Sequence, residues 1–312
     1  AGKLVAQSVA PSTSRTYQPG IKAYQSFMAR ALADPLRPTQ EDLVRFAALS
    51  AHTLSVGTVK VYLAGVRYYL LTNGASVDPL KSPRLSALLK GVERSQFGRK
   101  PESSASSASG LRPVEARDLL TLKTWIASTP HSASDKAMMW ATVVTAYNGL
   151  LRVSEYTSRH SSPRQGTRSL SRSCVSVLEN EIQITLGVTK TTQFGGAGTV
   201  VLHRRTDPEV CPVEAIKRYV AGRNWPVGES AFFMFDNGDQ LTSRDVNAWL
   251  EKALPGRVRS HSLRKGGATE LAARRAPEWQ LQAAGRGSSS AYKRYVHTQS
   301  GMPSQAHSGR QN

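Results

Sequence analysis

Apolar residues recur at helical spacing from Ser12 to about Gln96. Tyr17, Ile21, Tyr24 and Met28 mark one face of a helix over Ser14–Leu32, with Pro19 and Gly20 as the expected kink. Thr39 is placed to cap a second helix over Gln40–Leu49, whose first turn holds Glu41 and Asp42, acids that suit a helix N-terminus. A third helix is expected from Ser55 to about Thr72, closed by Asn73 and Gly74. A fourth runs from about Pro83 to Gln96. The pattern predicts an all-helical N-terminal domain.

No hydrophobic period survives between Gly98 and Gly110, where Lys100 and Pro101 precede a serine- and alanine-rich run, Ser103–Ser109. That composition is typical of a tether. The expected organisation is a helical domain over 1–98, a linker over 99–111, a second domain over 112–299 and a small polar tail over 300–312. The second domain opens with predicted helices at Val114–Ser128 and Ser134–Leu150. Strand-like segments follow at Cys174–Leu178, Ile182–Gly187 and Gly198–His203, broken by Glu179-Asn180 and by Gly195-Gly196. Helices return at Val213–Ala221, Ser243–Leu254, His261–Arg274 and about Ser288–His297. The predicted fold class is an α-helical domain followed by an α+β domain with a small antiparallel sheet.

Charge adds a partner to this picture. Lys and Arg number 41 against 22 Asp and Glu, a formal charge of +19 over 312 residues. An excess of this size repels itself in a compact state and calls for an anionic partner. Nucleic acid fits best, ahead of an acidic protein, with binding that weakens in salt as counterions are released. A basic protein that is merely soluble is the plain alternative. A membrane partner is not expected, because the charge is not gathered into one amphipathic helix and no apolar run approaches ~20 residues. The N-terminus shows no charged-then-apolar leader, so a soluble intracellular protein is expected. The two cysteines, Cys174 and Cys211, exclude a disulfide framework and a Cys-rich zinc site. Cys211 is expected to be a small buried residue.

Within the first domain the third helix contains Lys60 and Arg67 and no acid. The fourth sets Arg84, Lys90 and Arg94 against a single acid, Glu93. Phosphate contacts suit these cations, whereas the interleaved Tyr62, Tyr68 and Tyr69 read as packing.

Four clusters hold candidate chemistry: Leu150–Glu155, Val188–Thr192, Ser260–Arg264 and Tyr292–His297. His261 and Arg264, at i and i+3 of a predicted helix, share a face, while Leu263 points to packing. Arginine can fork two hydrogen bonds onto a phosphate and keeps its charge. Arg152 closes an apolar run (Met138–Leu151) and needs a counter-charge, which Glu155 at i+3 supplies in the simplest reading. Lys190 lies between strand segments near a hairpin tip, where a lysine is ordinarily just solvated.

Together these residues resemble the tyrosine recombinases. The order is Arg152, then Lys190 on a sheet hairpin, then His261 and Arg264, then Tyr295 with His297 after it, and the resemblance spans about Ser12 to His297. The stretches Leu150–Glu155 and Ser260–Thr269, with Ser14–Tyr17 and Gly285–Tyr295, look most like recombinases of eukaryotic DIRS and Crypton mobile elements, which implies action in the nucleus; a prokaryotic source would imply cytoplasm with DNA. The resemblance implies that Tyr295 attacks a scissile phosphate to form a 3′-phosphotyrosyl bond. Arg152 and Arg264 would clamp the nonbridging oxygens. His261 would accept or share the phenolic proton, Lys190 would protonate the leaving 5′-oxygen, and Glu155 would orient the arginine or histidine. Lys265 joins Lys60, Arg67, Lys90 and Arg94 as an expected DNA contact. A covalent intermediate conserves the phosphodiester energy, so no cofactor and no metal are expected. The family also implies a homo-tetramer on two DNA sites.

One position departs from the family pattern. His or Trp is usual between the second arginine and the tyrosine, and this chain has Gly285-Arg286-Gly287. Gly287 has no side chain to bond the phosphate or wall the pocket, and Arg286 and His297 are the nearby groups that could substitute in part. A weakened enzyme is the expectation. Tyr292, one helical turn before Tyr295, is the competing nucleophile. Two other functions fit the same residues: a DNA-binding protein that has lost turnover, and a strand-relaxing enzyme like the type IB topoisomerases.

Overall fold

Tyr24 and Met28 lie one helical turn apart and are both fully buried, which sets the inner face of α1 (Pro11–Arg30). The computed structural model describes residues 7–98, 110–162, 170–187, 198–226 and 230–277, with 228, 280, 281 and 284. It divides into two units, Ala1–Ser104 and Ala105–Asn312.

In the first unit α1 packs chiefly on α3 (Val56–Thr72) and also on α2 (Gln40–Thr53), and α4 (Pro83–Gly98) packs on α2 and α3, around Leu43, Phe46, Val59, Val66 and Leu70. α1 continues past Pro19, and Gly20 serves a different purpose from the expected kink. A Cβ at Gly20 would lie 2.7 Å from the Tyr62 Cα, so glycine is what lets α1 and α3 approach here. α2 is capped as expected: the Asp42 backbone N–H donates to Thr39 Oγ1 at 3.1 Å and the Thr39 N–H to the Asp42 carboxylate at 2.8 Å. Ser55 caps α3 by accepting from the Thr58 N–H at 3.2 Å.

The second unit is built around α6 (Ala133–Asn148), buried on nearly every side from Met138 to Tyr147. α5 (Ala116–Ser128), α8 (Pro212–Ala221) and α10 (Ser260–Ala273) pack against it, and α9 (Ser243–Ala253) leans on α5 and α10. Strands β1 (Val175–Val177), β2 (Glu181–Leu186) and β3 (Gly198–His203) form one antiparallel sheet in the order β1-β2-β3. The register pairs Val175 with Ile184 and Glu181 with His203. Alternation puts Ile182, Ile184, Leu186, Val200 and Leu202 into the core. Cys211 is buried as expected.

The end of α6 departs from the expected helix. The apolar run to Leu151 is not one helix. α6 stops at Asn148, Leu150 takes a left-handed φ of +47°, and Arg152 stands just before a new helical turn, α7 (Val153–Tyr156). Asn148 and Gly149 are helix-ending residues, and they override the hydrophobic pattern.

Candidate active site

The left-handed turn at Leu150 directs its carbonyl to α10, where the Arg264 guanidinium donates to it through Nη1. Arg264 is only 9% exposed, so this bond satisfies a cation that has little access to water. The contact joins the α10 arginine to the segment that carries Arg152, two residues along the chain.

Arg152 is oriented from the other side. The Glu155 carboxylate, 6% exposed, accepts from the Arg152 backbone N–H at 2.8 Å and from its Nη1 at 2.9 Å. The simple ion pair read from the sequence is therefore present. It fixes both the main chain and the guanidinium of Arg152 while leaving that side chain 33% exposed. His261 lies in the first turn of α10 and is exposed, whereas Leu263 is fully buried as its spacing predicted; Arg264, expected to share a face with His261, is buried as well.

Two glycines bring α10 close enough for this. A Cβ on Gly266 would meet the Val114 carbonyl oxygen at 1.9 Å, and one on Gly267 the Tyr147 carbonyl oxygen at 2.1 Å. The N-terminal end of α10 is also bonded to the segment before α5: Val114 N–H donates to Ser262 O at 3.0 Å. Lys265 donates to the Leu111 carbonyl, and burial lowers its pKa. The expected DNA contact at Lys265 is thus turned toward that segment.

A further ionic cluster lies along the same helix and left no signal in the sequence. Arg205 Nη2 donates to Glu270 at 2.6 Å and its Nη1 to Asn148 Oδ1 at 2.7 Å. A cleft beside it is lined by Tyr147, Leu150, Leu202, Gly267 and Leu271, among others. The residues involved are far apart in the chain.

Lys190 belongs to the connection between β2 and β3 and lies outside the described residues, as do Arg286, Gly287, Tyr292, Tyr295 and His297. In the first unit Lys60, Arg67, Lys90 and Arg94 are all exposed. Lys60 pairs with Glu93 at 3.1 Å, so the acid of α4 answers a cation of α3. Among the described residues no group of three or more His, Cys, Asp or Glu side chains could hold a metal ion, and no helix is long and apolar enough to cross a membrane.

No protein-family model matches the chain, and no curated protein sequence matches it. Solved structures do. XerH site-specific recombinase bound to a palindromic difH substrate aligns with a TM-score of 0.60 and 16% identity over 91% of this chain and 76% of that one. The Tn1549 transposon integrase in complex with transposon right-end DNA aligns with a TM-score of 0.62 and 14% identity over 93% and 89%. A lambda integrase dimer bound to a core site gives 0.60 and 12% over 99% and 78%. At such identities the likeness is one of fold. Helices around a small three-stranded antiparallel sheet, in this order and over this length, give the chain the fold of the tyrosine recombinases.

Proposed function

We propose that this chain is a site-specific DNA recombinase that cuts and rejoins DNA through a 3′-phosphotyrosyl intermediate, in the service of a mobile element. The observation that supports it most is the Arg264–Leu150 bond, which ties an α10 arginine beside an exposed histidine to the segment of a second arginine. Two guanidiniums from separate elements suit a phosphate with two nonbridging oxygens. The fold shared with DNA-bound recombinases and integrases, and the charge of +19, point the same way.

In the proposed reaction the Tyr295 phenolic oxygen attacks the scissile phosphorus. The P–O5′ bond breaks as the new P–O(Tyr) bond forms. His261 takes or shares the phenolic proton, and Lys190 gives one to the departing 5′-oxygen. Arg152, held by Glu155, and Arg264 stabilise the charge that builds on the equatorial oxygens. Attack by a 5′-hydroxyl of another strand reverses the step and restores the tyrosine. We assign the DNA grip of the first unit to Lys60, Arg67, Lys90 and Arg94, and the working assembly to a tetramer on two sites. The Leu150–Glu155 and Ser260–Thr269 stretches favour the DIRS and Crypton subgroup and action in the nucleus.

Gly287 supports one alternative, a DNA-binding protein that has lost turnover. Incubation with radiolabelled duplex DNA followed by a denaturing gel separates the two. A labelled protein–DNA adduct is expected, and joining of two duplexes would then distinguish recombination from strand relaxation. Tight binding with no adduct on any duplex would favour the binding protein.

A further inference from the structure

The carboxylate of Glu270 connects three segments that lead to the proposed site. It sits on α10 beyond Arg264. Arg205, just past the end of β3, donates to it from Nη2 at 2.6 Å and from Nη1 at 3.4 Å. The same Nη1 reaches Asn148 Oδ1, in the last residue of α6, at 2.7 Å. The Arg274 guanidinium also bonds to Glu270. Its side chain is 22% exposed. Burial alone would raise its pKa, but the hydrogen bonds and charge of Arg205 prevail and hold it below the usual carboxylate range.

Each segment continues to a different part of the site. α6 leads through Gly149 and Leu150 to Arg152. α10 carries His261 and Arg264. β3 is one side of the connection that contains Lys190. A slide of α10 against α6 would open or close the gap between Arg264 and the Leu150 carbonyl, and Glu270 resists that slide. Without its negative charge, Arg205 and Arg274 would face each other across a neutral group.

We propose that Glu270 is a positioning residue for DNA cleavage: through Arg205 and Asn148 it fixes α10 against the end of α6 and so sets the spacing of Arg152 and Arg264 around the scissile phosphate. The inference rests on the recombinase reading above. Glu270→Gln keeps the shape and removes the charge. The full chain, in excess over a duplex that the wild type cleaves, is followed in a single turnover. Adduct formation is expected to slow by roughly tenfold to a hundredfold, the scale of a small misplacement, with DNA affinity within about twofold of wild type.

A merely structural role would not produce a second effect. A duplex with a methylphosphonate at the scissile position is neutral there and keeps one nonbridging oxygen in place of two, so the spacing of two arginines around it matters less and the two proteins should differ by less than about twofold. No slowing, a loss of DNA affinity, or an equal defect on both duplexes would overturn the proposal. If Glu270→Gln does not fold, Glu270→Asp, which keeps the charge but retracts it, should show the same substrate-dependent defect. Failure of both variants to fold would overturn the proposal too, because Glu270 would then hold the fold and not the site. Absence of any adduct with the wild type would count against the recombinase reading itself.

Discussion

The Arg264 guanidinium donates to the carbonyl of Leu150, a non-glycine residue held at a φ of +47°. A leucine in that region costs about 1–3 kcal/mol and persists only where its surroundings hold it there; here the arginine bond and the burial of its side chain do so. The strained turn therefore serves the placement of two arginines at once. Arg264→Lys keeps a charge but cannot offer one edge to a carbonyl and another to a phosphate. We expect single-turnover cleavage to fall by roughly a hundredfold or more, with a smaller change in DNA affinity. Cleavage at the wild-type rate would mean that the fork is not used.

Glycines in α10 and α4 should respond in opposite ways. Gly267→Ala sets a methyl group against the Tyr147 carbonyl oxygen and Gly266→Ala against that of Val114, and backbone cannot step aside cheaply. Each is expected to lose roughly 3 kcal/mol or more. Gly91 in α4 has nothing within 4 Å of its would-be Cβ, and Gly91→Ala should gain up to about 1 kcal/mol. Chemical denaturation of the three variants checks the contrast.

These contacts also show what the sequence could and could not convey. β3 was readable to the residue because a glycine starts it and period-two alternation continues to His203. α2 extends to Thr53, past its expected end at Leu49, because no breaker stops it there. The end of α6 is not legible in the sequence, because hydrophobicity continues through Leu151 while the backbone turns at Leu150. The Arg205–Glu270 pair spans 65 residues, and no local pattern can signal a partner that only tertiary packing supplies.

The buried carboxylate of Asp118 predicts a pH signature. Arg112 donates to it at 2.6 and 3.2 Å and the Glu115 N–H at 2.8 Å. Burial raises its pKa, yet these bonds outweigh burial and the net shift is downward. A carboxylate with a depressed folded pKa stabilises the protein above its unfolded value and loses that contribution as pH falls through the folded value. Asp118→Asn should therefore cost roughly 2 kcal/mol at pH 7. The gap to wild type should narrow as pH drops below about 4. Denaturant melts at both pH values test this, and a gap that widens in acid would contradict it.

Salt dependence probes the first unit. Replacing Arg67, Lys90 or Arg94 with Gln should each lower the slope of log affinity against log salt by about 1 if each contacts a phosphate. Lys60→Gln should change it less, because Glu93 already stands 3.1 Å from that ammonium. Binding isotherms at several salt concentrations provide the slopes.

Cleavage by Tyr295 with Arg152 and Arg264 around the phosphate can be read from trapping on a nicked suicide duplex that cannot religate. The account predicts a covalent adduct with the wild type and with Tyr292→Phe, and none with Tyr295→Phe. An adduct that persists in Tyr295→Phe would contradict it.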